Sequence, residues 1–442
     1  MKYHSLYYVL LSLTISSLAF SNSTKEGFKV FENSAFLKKM LKMNSDLTID
    51  HPSNSDFELY GPKGTEKWLK SLNVNYQPLP KIHKSLAADY PTPSEIDQKL
   101  INFQLKYPHL VTLIEIGRSH KNHPILAVKI SDNPKLDELE PEFKYIANMH
   151  GNEIVGRELL VSLIEDLLKS YDEGDLQITN LINNTEIYII PSMNPDGANK
   201  RRRGNNKYKD LNRNFPDFST ADNTNSTRKR QPETVAIMNF AAKRNFSLSA
   251  NFHGGTEVVN YPWDTTPEHF PLYDLIVNFS KEYAKHIPSM FNSRGFDEGV
   301  TNGYDWYEVD GGMQDWSYNW HNDLQITIEL SHSKWPSYNR IPAYYTKNKY
   351  SLIKYITQIH QGAGFSFTDK DVQGKVEIKT RKGKIVGTYG FTHGEFYKVL
   401  PVGDYEFEIS SKEKQFKPIT FSAEVQADQL FNPNYKILLK SN

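Results

Sequence analysis

The rhythm of apolar and polar positions changes several times along the chain. Residues from about Tyr7 to Phe20 form an apolar run, led by Lys2 and closed by small residues around Ala19-Phe20-Ser21. This make-up predicts a cleavable export signal over residues 1–21, too short for a comfortable bilayer span. From Asn22 to about Ser55 the chain is polar and weakly patterned. Phe57-Glu58-Leu59-Tyr60 then reads as a strand, Gly61-Pro62 as its breaker, and Trp68, Leu69 and Leu72 sit at helical spacing. Tyr76 to Leu79 is a second short strand. Residues 22–89 are therefore expected to hold a small β-α-β piece, either an N-terminal extension or a removable pro-segment.

From about Tyr90 the pattern is that of alternating helices and strands. A helix around Pro93 to Tyr107 precedes strands at Val111–Glu115 and Ile125–Ile130, and Phe143 to Met149 is a mostly apolar strand. Val155, Leu159, Leu160, Leu163, Ile164, Leu167 and Leu168 have the spacing of a helix face packed on a sheet. Ile187 to Ile190 is continuously apolar, as a strand covered on both faces must be. Helices near Pro232–Ala242 and Pro271–Ile287 alternate with strands at Leu248–Phe252 and Leu324–Leu330, and a last helix runs from about Pro342 to Ile359. The expected fold class is α/β, a mixed sheet with helices on both faces, over residues 90–363. After Gly362-Ala363-Gly364 the period becomes two, at Val376–Lys379 and Tyr405–Ile409, with turn signals at Lys382-Gly383, His393-Gly394 and Gly403-Asp404. Residues 364–442 are expected to form a small all-β sandwich.

Composition narrows the function. The chain has 442 residues, and Lys+Arg and Asp+Glu are both 52, so the formal net charge is zero. A nucleic-acid binder normally carries a basic excess, and the short runs Lys200–Arg203 and Arg228–Arg230 read as solvated loops. With no later apolar stretch of membrane length, the mature protein is expected to be secreted or periplasmic. There is no cysteine, which excludes a Cys-ligated zinc site, a lipid-anchored Cys and a Cys nucleophile.

Three segments at predicted strand ends carry chemistry. His150-Gly151-Asn152-Glu153 follows one strand and opens a helix, and His253-Gly254-Gly255 follows another. Two imidazoles and one carboxylate can hold zinc and leave a fourth position for water. Ligand sites of open α/β sheets gather beyond the carboxyl ends of the strands. The third segment, Ile326-Thr327-Ile328-Glu329-Leu330, places a charge inside an apolar strand, which is costly unless the charge is paired or used. A carboxylate beside metal-bound water can take its proton and pass it to a leaving amine.

Taken together these segments resemble the zinc metallocarboxypeptidases, and among them the regulatory subgroup typified by carboxypeptidases D, E, N and M. The resemblance runs from about Tyr90 to Gly362. It is carried by His150-Gly151-Asn152-Glu153 with Gly156–Leu160, by Met193-Asn194-Pro195-Asp196-Gly197, and by Asp210-Leu211-Asn212-Arg213-Asn214-Phe215-Pro216-Asp217. His253-Gly254-Gly255 with Asn260-Tyr261-Pro262, Gly311–Trp316 and Glu329-Leu330-Ser331 complete it. The sandwich resembles the transthyretin-like domain that follows the catalytic domain in this subgroup. The resemblance implies one zinc per chain held by His150, Glu153 and His253, with Glu329 as general base. It implies Arg213 and Asn212 on the substrate's terminal carboxylate, Tyr307 closing over the substrate, and Asp264 with Gln314 lining the pocket for a basic last side chain. Arg203 matches the arginine that steadies the oxyanion. The family usually has Gly before that arginine and this chain has Arg202, so Arg201 and Arg202 compete for the role.

The implied activity is hydrolysis of the last peptide bond of peptides or proteins ending in Lys or Arg. Two other readings stand beside it. The same zinc chemistry could act on peptidoglycan stem peptides or as a deacylase, and the chain could be a non-enzymatic binding or adhesion protein.

Overall fold

The computed structural model describes residues 21–32, 46–53, 55–80, 90–138, 140–411, 417–427 and 436–439. The export-signal segment lies outside these residues except for Ser21. The chain divides into two units, Met1–Lys81 and Ile82–Asn442.

In the first unit, β1 (Ser21–Val30), β2 (Thr48–Asp50), β3 (Phe57–Lys63) and β4 (Tyr76–Pro78) form an antiparallel sheet in the order β2-β3-β1-β4. Phe28, Val30, Phe57 and Leu59 meet Trp68 and Leu69 of the helix Thr65–Ser71 in a small core. β1 and β2 fall where the sequence is weakly patterned, because Phe28 and Val30 are the only large apolar residues of β1. Gly61-Pro62 does not end β3. Beyond Tyr60 the strand has lost its β2 neighbour, and a strand with one open side tolerates proline.

The second unit is built on one eight-stranded sheet. Its strands are β5 (Val111–Arg118), β6 (Pro124–Ile130), β7 (Glu142–Ala147), β8 (Glu186–Ile190), β9 (Phe246–His253), β10 (Glu257–Tyr261), β11 (Val300–Asn302) and β12 (Leu324–Leu330), ordered β11-β10-β12-β9-β7-β8-β6-β5. β8, β7, β9 and β12 run parallel at the centre. β6 and β10 pair antiparallel at either side. Successive side chains of a strand point to opposite faces, and the two cores show it. Phe143, Tyr145, Ile187 and Ile189 pack with the helices Val155–Asp172, Tyr273–Lys285 and Ile341–Thr357. Ile146, Tyr188 and Ile190 pack with the helices Pro232–Ala241 and Met313–His321 on the other face. The sheet is thus mixed with helices on both faces. The short strands β10 and β11 are additions to the elements expected from sequence.

The remaining strands, β13 (Gly362–Phe367), β14 (Gly374–Thr380), β15 (Ile385–Phe391), β16 (Glu395–Val399), β17 (Gly403–Ser411), β18 (Ile419–Val425) and β19 (Lys436–Leu439), form two sheets, β16-β13-β19 and β15-β14-β17-β18. Phe365 meets Phe391 and Phe421 across them, with ring centroids 5.1 and 6.2 Å apart. Gly362 and Gly364, where the period of the pattern changes, lie inside β13. A Cβ at Gly364 would fall 2.2 Å from the carbonyl oxygen of Phe396, so this strand approaches β16 closely only with glycine there.

Candidate active site

Because the four central strands are parallel, their carboxyl ends share one edge of the sheet. β7 ends at Ala147, and Asn148 turns the chain in a left-handed conformation (φ 58°). Its side-chain amide donates to the carbonyls of His150 and Glu153, at 3.0 and 3.3 Å, and so shapes the turn that carries both residues. Gly151 is required by contact: a Cβ there would lie 2.1 Å from the backbone of Gly197. β9 ends at His253. In the parallel pairing of β12 with β9, Glu329 is the register partner of His253. The buried Glu329 therefore stands one strand spacing, ~4.8 Å, from a ligand candidate.

His150 Nδ1, His253 Nδ1 and Glu153 Oε2 converge. His150 Nδ1 is 3.0 Å from Glu153 Oε2 and 3.0 Å from His253 Nδ1, and His253 Nδ1 is 2.9 Å from the same carboxylate oxygen. All three side chains are buried. His150 Nε2 lies 3.0 Å from Asp210 Oδ1. A proton held there leaves the Nδ1 lone pair facing the other two donors, the arrangement by which an outer carboxylate fixes a metal-binding tautomer. Three mutually close lone-pair atoms cannot all be satisfied by the protons available to them, and a cation among them can satisfy them all. The donor set therefore fits zinc. Glu153 turns its other oxygen to Arg203 and Lys334, at 3.3 and 3.5 Å. Burial pushes the Glu153 carboxyl up, but His150, His253 and Lys334 outweigh it and hold it well below the usual range.

Arg203 is buried, with Nε donating to Asp210 Oδ2 at 2.9 Å and Nη1 reaching Glu153. Its guanidinium is held between Asp210 and the ligand candidate Glu153. Arg202 instead stacks on Tyr208, 3.9 Å from the ring centroid. Arg213 and Asn212 lie on the turn Leu211–Arg213, which Asp210 caps through the Asn212 N–H. The side-chain oxygen of Asn212 accepts from Met313 N at 3.0 Å, which orients its amide. Tyr307 follows the helix Gly303–Trp306, half-buried, with its ring 5.0 Å from that of Trp306.

Asp264 and Gln314 are both buried and adjacent. Gln314 Nε2 donates to Asp264 Oδ1 at 3.1 Å, and Asn260 Nδ2 donates to the same oxygen at 3.0 Å. A Cβ on Gly312 would lie 3.4 Å from Asp264 Oδ2 and 3.8 Å from Asn212 Oδ1, so the carboxylate and the Asn212 amide flank one glycine. A Cβ on Gly303 would lie only 1.7 Å from Asp264 Oδ1. Burial pushes the Asp264 carboxyl up to about 6, against the pull of Asn260 and Arg213.

Sequence reasoning gave no role to three acids and bases found here: Asp210 behind His150, Lys334 beside Glu153, and Asp315. Asp315 accepts from the backbone N–H groups of Asp264 and Thr265, at 2.8 and 2.9 Å, and so holds the turn that carries Asp264. Each lies within or next to a motif already quoted, yet sequence spacing carries no sign of which neighbour braces which.

A site of two imidazoles and a carboxylate at the carboxyl edge of a mixed sheet, faced by a buried glutamate, defines a metallohydrolase. The zinc carboxypeptidase family, peptidase M14, matches residues 96–351, more than half of the chain. The chain belongs to this family, whose members use a catalytic zinc ion. Among curated relatives, mouse carboxypeptidase D is 37% identical over 371 residues, covering 77% of this chain and 26% of its own length. Mouse carboxypeptidase M is 36% identical over 386 residues, covering 80% of this chain and 78% of its own. The chain thus spans about a quarter of the carboxypeptidase D relatives. Among solved structures, carboxypeptidase A from Helicoverpa armigera superposes with a TM-score of 0.61 at 20% identity, covering 76% of this chain and 97% of that one. That similarity concerns the fold. Among the described residues, no helix is long and apolar enough to cross a membrane.

Proposed function

We propose that this chain is an exported zinc carboxypeptidase that removes a C-terminal Lys or Arg from peptides or proteins. The observation that carries the selectivity is the buried Asp264, braced by Gln314 and Asn260 beside Asn212. His150, Glu153 and His253 would hold the zinc, which when bound lowers the pKa of a water and polarises the scissile carbonyl. Arg213 receives the free terminal carboxylate in paired hydrogen bonds that a planar guanidinium provides, with the Asn212 amide beside it. Glu329 takes the proton of the attacking water and returns it to the leaving amine. Arg203, already fixed by Asp210 and Glu153, needs no reorganisation to face charge developing on the carbonyl oxygen. Tyr307 closes over the bound end. An incoming guanidinium or ammonium meets Asp264 through a charge-assisted bond. An apolar side chain would leave that carboxylate desolvated and unpaired, a cost of roughly 1–3 kcal/mol.

We read residues 1–21 as the export signal, 22–89 as an N-terminal extension, 90–363 as the catalytic domain, and 364–442 as a transthyretin-like sandwich. The testing experiment compares matched peptides ending in Arg, Lys, Leu, Phe and Glu, together with the amidated Arg peptide. Rapid loss of Arg and Lys alone, abolished by amidation, supports the reading. Preference for Leu or Phe would refute the pocket assignment and leave the zinc assignment standing.

A further inference from the structure

The helix Met313–His321 has the pocket at one end and the sandwich at the other. At its start Gln314 bonds Asp264 Oδ1, and Asp315 holds the backbone of Asp264 and Thr265. In its last turn Tyr318 is buried against Trp263, the residue preceding Asp264, with ring centroids 5.3 Å apart. Tyr318 also meets Lys398 of β16. The Lys398 ammonium lies 4.4 Å from the Tyr318 ring centroid and 4.6 Å from that of Tyr389 in β15. It donates to the carbonyl of Asn322, the residue capping the helix, at 2.8 Å. Asn322 in turn donates its side-chain amide to the carbonyl of Gly390 at 3.1 Å. A fully buried lysine is rare unless it is paired or used, and no part of the peptide-cleaving chemistry above employs this one.

We propose that the C-terminal sandwich is a positioning element for the specificity pocket, acting through Lys398 on the helix Met313–His321. The charged ammonium holds the helix in two ways, by its bond to the carbonyl of the capping Asn322 and by attraction to the two ring faces. The helix then keeps Gln314, Asp315 and, through Tyr318 and Trp263, the Asp264 turn in one arrangement. Burial lowers the Lys398 ammonium to about 7 against the opposing pull of Asp323. The clamp is therefore charged below neutral pH and loses its charge above it. The other ionisable groups around it have defined states. Lys144 of β7 forms a buried ion pair with Asp323. His321 is pushed down to about 4 by burial and is neutral near pH 7. The hydroxyls of Tyr318 and Tyr389 are both pushed up by burial and stay protonated.

This inference rests on Asp264 as the selecting carboxylate, and its test keeps the two claims apart. The quantity to measure is the ratio of kcat/KM for an Arg-ended peptide to that for a matched Leu-ended peptide, from pH 5.5 to 9. Ionisations that affect both peptides alike cancel in the ratio. The parent enzyme should show a ratio that rises through pH 6 as Asp264 ionises and falls above pH 7 as Lys398 discharges. K398M keeps the side-chain length without the charge. It should lower the ratio near pH 6.5 by roughly two- to thirty-fold, the scale of coupling through a packed element, and abolish the fall above pH 7. K398R stays charged throughout and should hold the high ratio to pH 9, so it also serves if K398M folds poorly. A falling limb that persists in both K398M and K398R overturns the role of Lys398. A parent enzyme with no preference for Arg at any pH overturns the reading of Asp264 instead.

Discussion

A single charge inside a sealed strand is the sharpest feature at the scale of residues. Every residue of β12 is buried, and Glu329 is its one acid. The register sets it beside His253. If it shuttles the proton, Glu329→Gln keeps the metal and changes KM little. Turnover should fall by roughly 10²–10⁴-fold, the worth of a positioned general base. Zinc content and steady-state kinetics on one Arg-ended peptide decide it, and near-parental turnover would make Glu329 structural. Asp264 gives the pH dependence. Its carboxyl is raised from 3.8 to about 6, chiefly by burial. It is ionised above that value, so the proposed selectivity for basic ends should set in as the pH rises through 6 and fade as the pH falls through it. Asp264→Asn should flatten this rise. The same shift has a consequence for folding. The native state holds a proton that the unfolded chain has lost between pH 3.8 and 6, so this group's contribution to stability declines as pH rises through that window. Lys398 has the opposite sign: its native value lies below the ordinary 10.5. Its burial weighs most against stability below pH 7, and the penalty eases as pH rises from 7 towards 10.5. The melting temperature of K398M relative to the parent should accordingly be higher at pH 6 than at pH 9.

Among the elements, the pocket depends on a glycine at the start of a helix. Gly303 opens it, and a Cβ there would collide with the Asp264 carboxylate. Gly303→Ala should therefore displace Asp264 and cut kcat/KM for Arg-ended peptides by up to about 100-fold, the scale of an ångström's misplacement. The rate on Leu-ended peptides should change far less and zinc content should not change. Equal losses on both substrates would place Gly303 outside the pocket. These elements were also the least legible ones. The central strands declare themselves through runs such as Ile187–Ile190, which feed both cores at once, and the motif residues at their ends come together as their strand-end positions imply. β10, β11 and the first-unit strand β1 do not, because each is short or carries few apolar side chains. Gly362 and Gly364 are ambiguous for another reason, since a glycine demanded by close strand approach looks the same in sequence as one that ends an element. The braces at Asp210, Lys334 and Asp315 depend on tertiary contacts that no local pattern encodes.

The whole molecule joins a zinc-type donor set to a sandwich that touches the far end of the helix Met313–His321. Exposure to a chelator should remove one zinc per chain together with the activity, and added zinc should restore both. His150→Ala and His253→Ala should lack both from the start. Full activity in metal-free protein would end the zinc mechanism. Removal of single basic residues from free C-termini is measured with a peptide library in which every residue type occupies the last position. The library is followed by mass spectrometry during digestion with the zinc-loaded chain. Peptides ending in Lys or Arg should lose one residue and then stop wherever the newly exposed end is not basic. Early trimming of Phe- or Leu-ended peptides, or cleavage at internal bonds, would contradict it.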